Sequence, residues 1–106
     1  MNDSLTRLEA TIAARRGADP ASSYVAKLSA AGRAKIAQKV GEEAVETVIA
    51  AMAGDPAKLT SEAADLIFHL LILLADGGVT LADVAAELDR REGVSGLTEK
   101  AARKEN

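Results

Sequence analysis

Cysteine is absent from this 106-residue chain, and its absence excludes several kinds of chemistry. Without thiols the protein has no disulfide bonds, no thiolate metal ligands and no cysteine nucleophile. A metal site in this chain is therefore expected to use other ligands, and a catalytic mechanism through a covalent thioester is ruled out.

Aromatic residues and proline are scarce: the sequence has one Phe, one Tyr, no Trp and two Pro. Hydrophobic residues nevertheless make up 48% of the chain, and most of them are Ala, Leu, Val and Ile. A composition rich in Ala and poor in aromatic residues favours packed helices over a sheet. The length suffices for one modest core, so we expect a single domain over residues 1–106.

Long apolar runs and a basic excess are also missing. The longest uninterrupted apolar run, Leu70–Ala75, is far too short to cross a bilayer, and the N-terminus lacks the apolar segment of a signal peptide. The net charge of −3 leaves no general basic footprint for nucleic acid. We expect a cytoplasmic protein with neither a membrane nor a nucleic-acid partner.

The spacing of apolar residues predicts an all-α fold, an antiparallel bundle of about five helices. The expected helices run from a cap at Asp3 or Ser4 to near Gly17, from a cap at Ser22 or Ser23 to Gly32, from near Arg33 to about Ala53, from Asp55-Pro56 to Ala75 or Asp76, and from a capping box at Thr80 and Asp83 to about Arg91. Residues 93–106 are expected to form a loosely held tail. On the third helix we expect the apolar side to consist of Ile36, Val40, Ala44, Val48 and Ala51.

Two acidic pairs lie on successive helices of this pattern. Glu43 and Glu46 share one helix face, and Glu62 and Asp65 share another. The fifteen residues between the pairs include Gly54, Asp55 and Pro56, which is enough for a turn and an antiparallel return. The hairpin is therefore expected to bring four carboxylates together.

A cation explains such a group better than isolated structural roles do. Glu62 and Asp65 taken singly have a simpler interpretation, in which each complements the dipole at the start of its helix. That helix is otherwise apolar, however, and mutual repulsion among four carboxylates requires positive charge to relieve it. Ligation by oxygen alone favours Mg²⁺, or Mn²⁺, over zinc.

The acidic pairs stand within a longer pattern that resembles a known family. The relevant blocks are SYVAKL at residues 23–28, KIAQKVGEEAVE at 35–46 and EAADLIFHLLILL at 62–74. Together, over about residues 23–91, they resemble phosphoribosyl-ATP pyrophosphohydrolase, a family of the MazG-like all-α nucleotide pyrophosphohydrolase superfamily. The E-x-x-E and E-x-x-D pairs alone are a weak pattern, but three blocks in the right order are specific.

The resemblance implies Mg²⁺-dependent hydrolysis of the α-β phosphoanhydride of phosphoribosyl-ATP, the second step of histidine biosynthesis. Carried over by position, the metal ligands would be Glu43, Glu46, Glu62 and Asp65. Glu42, which directly precedes the first ligand, would be an outer partner of the metal site or the general base. A solvated position is the alternative for Glu42.

Three lysines would meet the substrate phosphates under the same resemblance, because ammonium groups on long stems suit moving phosphate oxygens. Lys39 lies one turn before Glu43 and is the leading candidate. Lys27 and Lys35 are the other two, with a solvated position as the alternative for Lys35. Lys100, Arg103 and Lys104 in the tail could close over the phosphates or simply remain solvated.

His69 and Tyr24 complete the set of candidate residues. His69 follows Asp65 by one turn and would contact either a carboxylate or the substrate, although a satisfied core histidine explains it equally well. Tyr24 would hydrogen-bond the substrate, or anchor the short second helix against the core.

Two other functions remain open at this stage. A housekeeping nucleoside triphosphate pyrophosphohydrolase would use the same four carboxylates, and only substrate choice separates it from the biosynthetic enzyme. A non-catalytic helical interaction module would show no metal dependence.

The expected quaternary structure follows from the fourth helix, which is apolar around nearly its whole circumference. The flanking helices are short, so one chain alone would leave apolar surface uncovered. We expect dimerisation to complete a four-helix core, giving a homodimer or a dimer of dimers. The alternative is a monomer in which the first and fifth helices cover the fourth.

Overall fold

A computed structural model describes residues 3–92 of the chain, and it confirms an all-α fold. Five helices form in the order α1 (Asp3–Arg15), α2 (Tyr24–Ala31), α3 (Arg33–Ala53), α4 (Pro56–Asp76) and α5 (Leu81–Arg91). No strand occurs within the described residues. The expected tail at 93–106, with Lys100, Arg103 and Lys104, lies outside them.

Three of the helices begin at side-chain caps, and the sequence predicts two of them, at Ser23 and at Thr80. The Ser23 hydroxyl accepts from the Ala26 amide, and the Asp55 carboxylate accepts from the amides of Ala57 and Lys58. At α5 the capping box is complete in both directions between Thr80 and Asp83. The cap predicted for α1 is wrong, because α1 already includes Asp3 and Ser4.

A tight turn makes α3 and α4 an antiparallel hairpin. Gly54 ends α3 in the left-handed conformation with φ of 75°, which glycine adopts without steric cost, and Asp55 then caps α4. These two helices make the most extensive contact in the described chain. The hairpin therefore sets the register between the two acidic segments.

The hydrophobic core lies on one side of this hairpin, where α1 and α2 cover it. Its buried residues come from all four helices: Ile12, Val25, Leu28, Ile36, Leu71 and Ile72. At the far end of the hairpin, the Asp76 carboxylate binds both Arg16 and Arg33, at 3.2 and 2.7 Å. Both guanidinium groups also donate to the last carbonyls of α4, which ties α1 and α3 to its C-terminus.

The buried side of α3 differs from the one expected. Glu43 is buried between Ile36 and Ala50, which lie seven residues on either side of it. Val48 is 62% exposed and Ala51 is exposed as well, so the prediction of an apolar side through these two positions is wrong. The face of α3 that meets α4 thus carries a carboxylate at its centre.

The remaining helix, α5, contributes no buried residue. Its first amide, at Leu81, donates to the Glu9 carboxylate of α1 at 2.6 Å. This contact stabilises α5, because the negative charge of Glu9 lies at the positive end of the helix dipole. Within residues 3–92 no single helix is long and apolar enough to cross a membrane, and α4 and α5 meet that test only together, across a bend of 105°.

Candidate active site

Three carboxylates meet where the middle of α3 faces the first half of α4. Glu43, Glu62 and Asp65 each offer one oxygen, and these oxygens all lie within 4.8 Å of one another. Glu62 and Asp65 are one helical turn apart, so both side chains leave α4 on the side of Glu43. We call these three residues the carboxylate cluster.

The cluster has the electrostatic character of a site for a cation. Burial raises the pKa of Glu43 and of Glu62, and the nearby Glu46 carboxylate raises both further. The Oε2 atoms of Glu43 and Glu62 are buried and accept no hydrogen bond within the described chain. Buried, unpaired carboxylate oxygens are costly in a protein, and a hard divalent cation would satisfy them.

Glu46 stands slightly apart from this group. It lies one turn after Glu43 on α3 and is exposed, and its carboxylate does not belong to the set of oxygens within 4.8 Å. Its effect on the pKa of both Glu43 and Glu62 shows that it is close to each. The structure therefore gathers three of the four expected carboxylates tightly and places the fourth beside them.

Lys39 lies at the edge of the cluster but pairs mainly with Glu42. Its Nζ is 3.3 Å from Oε1 of Glu42 and 3.9 Å from Oε1 of Glu43. The hydrogen bond to Glu42 raises the pKa of Lys39, while hydrogen bonds from Gln38 and Lys39 lower the pKa of Glu42. Because the Lys39 ammonium lies closer to Glu42 than to Glu43, it compensates the negative charge of the cluster only in part.

A buried histidine connects α2 to the cluster. Nδ1 of His69 lies 2.7 Å from the carbonyl oxygen of Asp65, and Nε2 lies 2.7 Å from the hydroxyl of Tyr24. A carbonyl oxygen only accepts, so in the neutral ring Nδ1 donates to Asp65 and the Tyr24 hydroxyl donates to Nε2. Phe68 packs edge-on against the imidazole, with ring centroids 5.3 Å apart.

Between α2 and α3 the surface forms a cleft of about 260 Å³ next to the cluster. We call it the lysine cleft, and its lining residues are Tyr24, Lys27, Leu28, Ala31, Lys35, Lys39 and Glu42. All three lysines predicted from the sequence therefore line one cavity, and Tyr24 forms part of its wall.

Comparison of the sequence with known proteins identifies one family. The family model for phosphoribosyl-ATP pyrophosphohydrolase matches residues 5–92, which is most of the chain. The chain belongs to the phosphoribosyl-ATP pyrophosphohydrolase family. A protein of Rhizorhabdus wittichii named phosphoribosyl-ATP pyrophosphatase is 71% identical over 103 residues, 97% of each chain.

Two further relatives with the same name are similar to this chain over nearly its whole length. Proteins of the same name from Erythrobacter litoralis and Dinoroseobacter shibae are 67% and 66% identical over 101 and 99 residues. The matches cover 95% and 93% of this chain, respectively, and 97% of each relative. Each match therefore extends over nearly the full length of this chain and of the relative.

Gln38 was missed as a site residue from the sequence. It donates to Glu42 at 2.9 Å, an i, i+4 contact that the spacing alone could have indicated. Lys58 was expected from the sequence to lie in the turn between the helices, away from the acidic face. That expectation is wrong, because Lys58 lies in the first turn of α4, one turn before Glu62, and its charge lowers the pKa of Glu62 against the dominant upward shift.

Proposed function

We propose that this chain hydrolyses the α-β phosphoanhydride of phosphoribosyl-ATP, producing phosphoribosyl-AMP and pyrophosphate in the second step of histidine biosynthesis. Membership of the phosphoribosyl-ATP pyrophosphohydrolase family supports the assignment, as do the names of relatives above 60% identity. The observation that carries it is the carboxylate cluster, in which one buried oxygen of Glu43 and one of Glu62 have no hydrogen-bond partner in the described chain.

We propose Mg²⁺ as the cofactor, with Mn²⁺ as a substitute. Glu43, Glu62 and Asp65 would hold it, and we propose Glu46, which is close enough to raise the pKa of Glu43 and of Glu62, as the fourth ligand. When bound, the ion neutralises polyphosphate oxygens and activates a water for in-line attack. Ligands that are all oxygen fit this choice, because carboxylates and water suit hard cations.

The residues beside the cluster then orient the triphosphate. Lys39 points its ammonium toward the cluster edge, where it would meet a phosphate oxygen as charge develops on the leaving pyrophosphate. Of the two roles open to Glu42, the structure favours that of an outer partner, because its lowered pKa makes it a weak base and its carboxylate holds Lys39 in place.

Tyr24 and His69 are proposed to position the substrate. The imidazole is buried and both its nitrogens are hydrogen-bonded, so it fixes the hydroxyl of Tyr24, a residue that lines the lysine cleft. The Tyr24 oxygen keeps lone pairs that can accept from a ribose hydroxyl or an ammonium group. Lys27 and Lys35 would meet substrate phosphates from the same cleft.

The working unit is proposed to be a homodimer, alone or within a dimer of dimers. Val45, Val48, Ile49 and Met52 are each more than half exposed, and they occupy the side of α3 opposite Glu43. Ile67 and Leu70 of α4 are 40% exposed. Within one chain α5 has no buried residue and only its Leu81 packs, partly buried, against the core, so we propose that a second copy of the hairpin supplies the missing cover.

The assignment implies a cytoplasmic enzyme whose partner is a small nucleotide rather than nucleic acid or a membrane. The direct test is incubation of the purified protein with phosphoribosyl-ATP and Mg²⁺ while pyrophosphate release is followed. ATP and dUTP serve as control substrates. Rapid release from phosphoribosyl-ATP alone is expected, and comparable release from ATP or dUTP would contradict the substrate assignment.

A further inference from the structure

The lysine cleft carries more positive than negative side chains, and its one carboxylate does not balance the excess. Three ammonium groups and one carboxylate line it, and that carboxylate, on Glu42, already accepts from Gln38 and Lys39. The side-chain ammonium groups of Lys27 and Lys35 form no hydrogen bond or close ion pair with any of residues 3–92, although Lys35 is near enough to Glu42 to lower the pKa of that carboxyl. The cleft is therefore equipped to receive an anion.

The lysine cleft and the carboxylate cluster would bind two different phosphate groups of one ligand. Lys39 belongs to the cleft wall and also lies 3.9 Å from Glu43, so the cleft and the cluster adjoin. Lys35 comes eight residues before Glu43, which places it about 12 Å further back along α3. A phosphate held by Lys35 is therefore a different phosphate from one held at the carboxylates.

The size of the cleft indicates what part of a ligand it takes. A volume of about 260 Å³ is below that of pockets for whole drug-sized ligands, roughly 300–1,000 Å³. One end of a nucleotide, such as a sugar phosphate, suits it better than a complete nucleotide does. The Tyr24 ring, 47% exposed, offers a flat wall beside the ammonium groups.

We propose that the lysine cleft binds the 5′-phosphate of the substrate's phosphoribosyl group, while the triphosphate lies at the carboxylate cluster. The inference rests on the proposed function, and it makes Lys27 and Lys35 the residues that distinguish phosphoribosyl-ATP from ATP. ATP lacks this second phosphate end, so it forfeits the charge-assisted contacts in the cleft.

The kinetic test compares two double variants that each remove two positive charges. Lys27→Ala with Lys35→Ala should raise KM for phosphoribosyl-ATP at least tenfold while kcat changes less than threefold, because Lys35 lies about 12 Å along α3 from the cluster at which the bond breaks. Arg7→Ala with Arg15→Ala, on the exposed side of α1, should leave both constants unchanged. Lys27→Arg with Lys35→Arg should restore most of the affinity.

A binding test works without turnover. Ribose 5-phosphate is titrated into the isotope-labelled protein in EDTA, and amide shifts are expected at residues 24–31 and 35–39, weaker in the alanine double variant. Absence of these shifts, or their displacement by equimolar pyrophosphate, would overturn the proposal. If the wild type fails to hydrolyse phosphoribosyl-ATP, the proposed function fails, and the titration still decides whether the cleft binds a sugar phosphate.

Discussion

The hydroxyl oxygen of Tyr24 lies 2.7 Å from Nε2 of His69, although 45 residues separate them. His69 is only 6% exposed, and its other ring nitrogen is bound to the carbonyl of Asp65. One imidazole thus connects the wall of the lysine cleft to the turn of α4 that carries a cluster carboxylate. If the lysine cleft binds substrate as proposed, this connection links substrate binding to the geometry of the cluster.

Removing the Tyr24 hydroxyl should therefore cost both stability and positioning. Tyr24→Phe keeps the ring stacked on Phe68 but leaves Nε2 of His69 buried without a donor, a loss of about 1–3 kcal/mol. We expect a melting temperature lower by roughly 4 °C or more, and kcat/KM for phosphoribosyl-ATP reduced several-fold. Thermal unfolding and steady-state kinetics measure the two effects.

The matched control is Ser22→Ala, which removes an exposed hydroxyl just before α2. It should change neither quantity. A Tyr24→Phe variant indistinguishable from wild type in both measurements would show that the contact with His69 has no such role.

Lys39→Ala should lower kcat/KM about tenfold, equivalent to roughly 1.4 kcal/mol of transition-state stabilisation. The reason is its position between the cleft and the cluster, where under the proposed function it would meet charge that develops on the triphosphate. Arg15→Ala, an exposed charge on α1, is the control. Lys58 is unsuitable for that purpose, since its charge acts on Glu62. Equal losses in the two variants would mean that overall positive charge, rather than placement, supports turnover.

Local features of this fold were readable from the sequence because they depend on neighbours in the chain. Ser23, Asp55 and Thr80 cap helices through contacts within three residues, and Gly54 supplies the left-handed turn. The i, i+3 spacing of Glu62 and Asp65 likewise fixes their common face. The hairpin that unites the cluster followed from these local rules.

The side of α3 that turns inward was not readable in this way. Apolar residues occupy two opposite sides of this helix, and periodicity alone does not say which one meets α4. The buried side is the one that carries Glu43. A charged residue usually indicates an exposed side, so the sequence pattern gives the wrong orientation of α3 at the candidate site. The contact of Tyr24 with His69 also depends on how α2 packs against α4, which no local pattern specifies.

The metal-free protein should lose stability as the pH rises above the ordinary glutamate value of 4.5. Glu43 and Glu62 have raised pKa values in the folded state, which therefore binds protons more tightly than the unfolded chain does. Their contribution to the free energy of unfolding declines as pH rises through the folded pKa values. Below that window Asp76 and Glu87, whose pKa values are lowered, lose stabilising contacts instead; that of Glu87 is about 2.

Urea unfolding in EDTA at about pH 5 and about pH 7.5 measures this difference. We expect lower stability at the higher pH, a smaller difference in Glu43→Gln, and a gain on adding Mg²⁺ at the higher pH. A metal-free protein that is more stable at the higher pH would contradict the electrostatic account of the cluster.

The exposed apolar surface of the hairpin should hold two chains together. Sedimentation equilibrium is expected to give at least twice the 10.9 kDa chain mass for wild type. Met52→Asp and Leu70→Asp, at positions 83% and 40% exposed, should shift it toward monomer because a buried charge opposes association. Ala14→Asp, on the exposed side of α1, should have no effect. A wild type that sediments as a monomer at micromolar concentration would end the dimer proposal.

The most direct test of the central claim measures pyrophosphate release from phosphoribosyl-ATP by Asp65→Asn and by Asp89→Asn. Both variants lose one exposed aspartate charge, but only Asp65 belongs to the carboxylate cluster. With Mg²⁺ we predict near-wild-type release by Asp89→Asn, loss of at least about a hundredfold by Asp65→Asn, roughly 2.7 kcal/mol or more, and no release by any form in excess EDTA. Full activity of Asp65→Asn, or undiminished wild-type activity in EDTA, would contradict the assignment of this cluster as the metal centre.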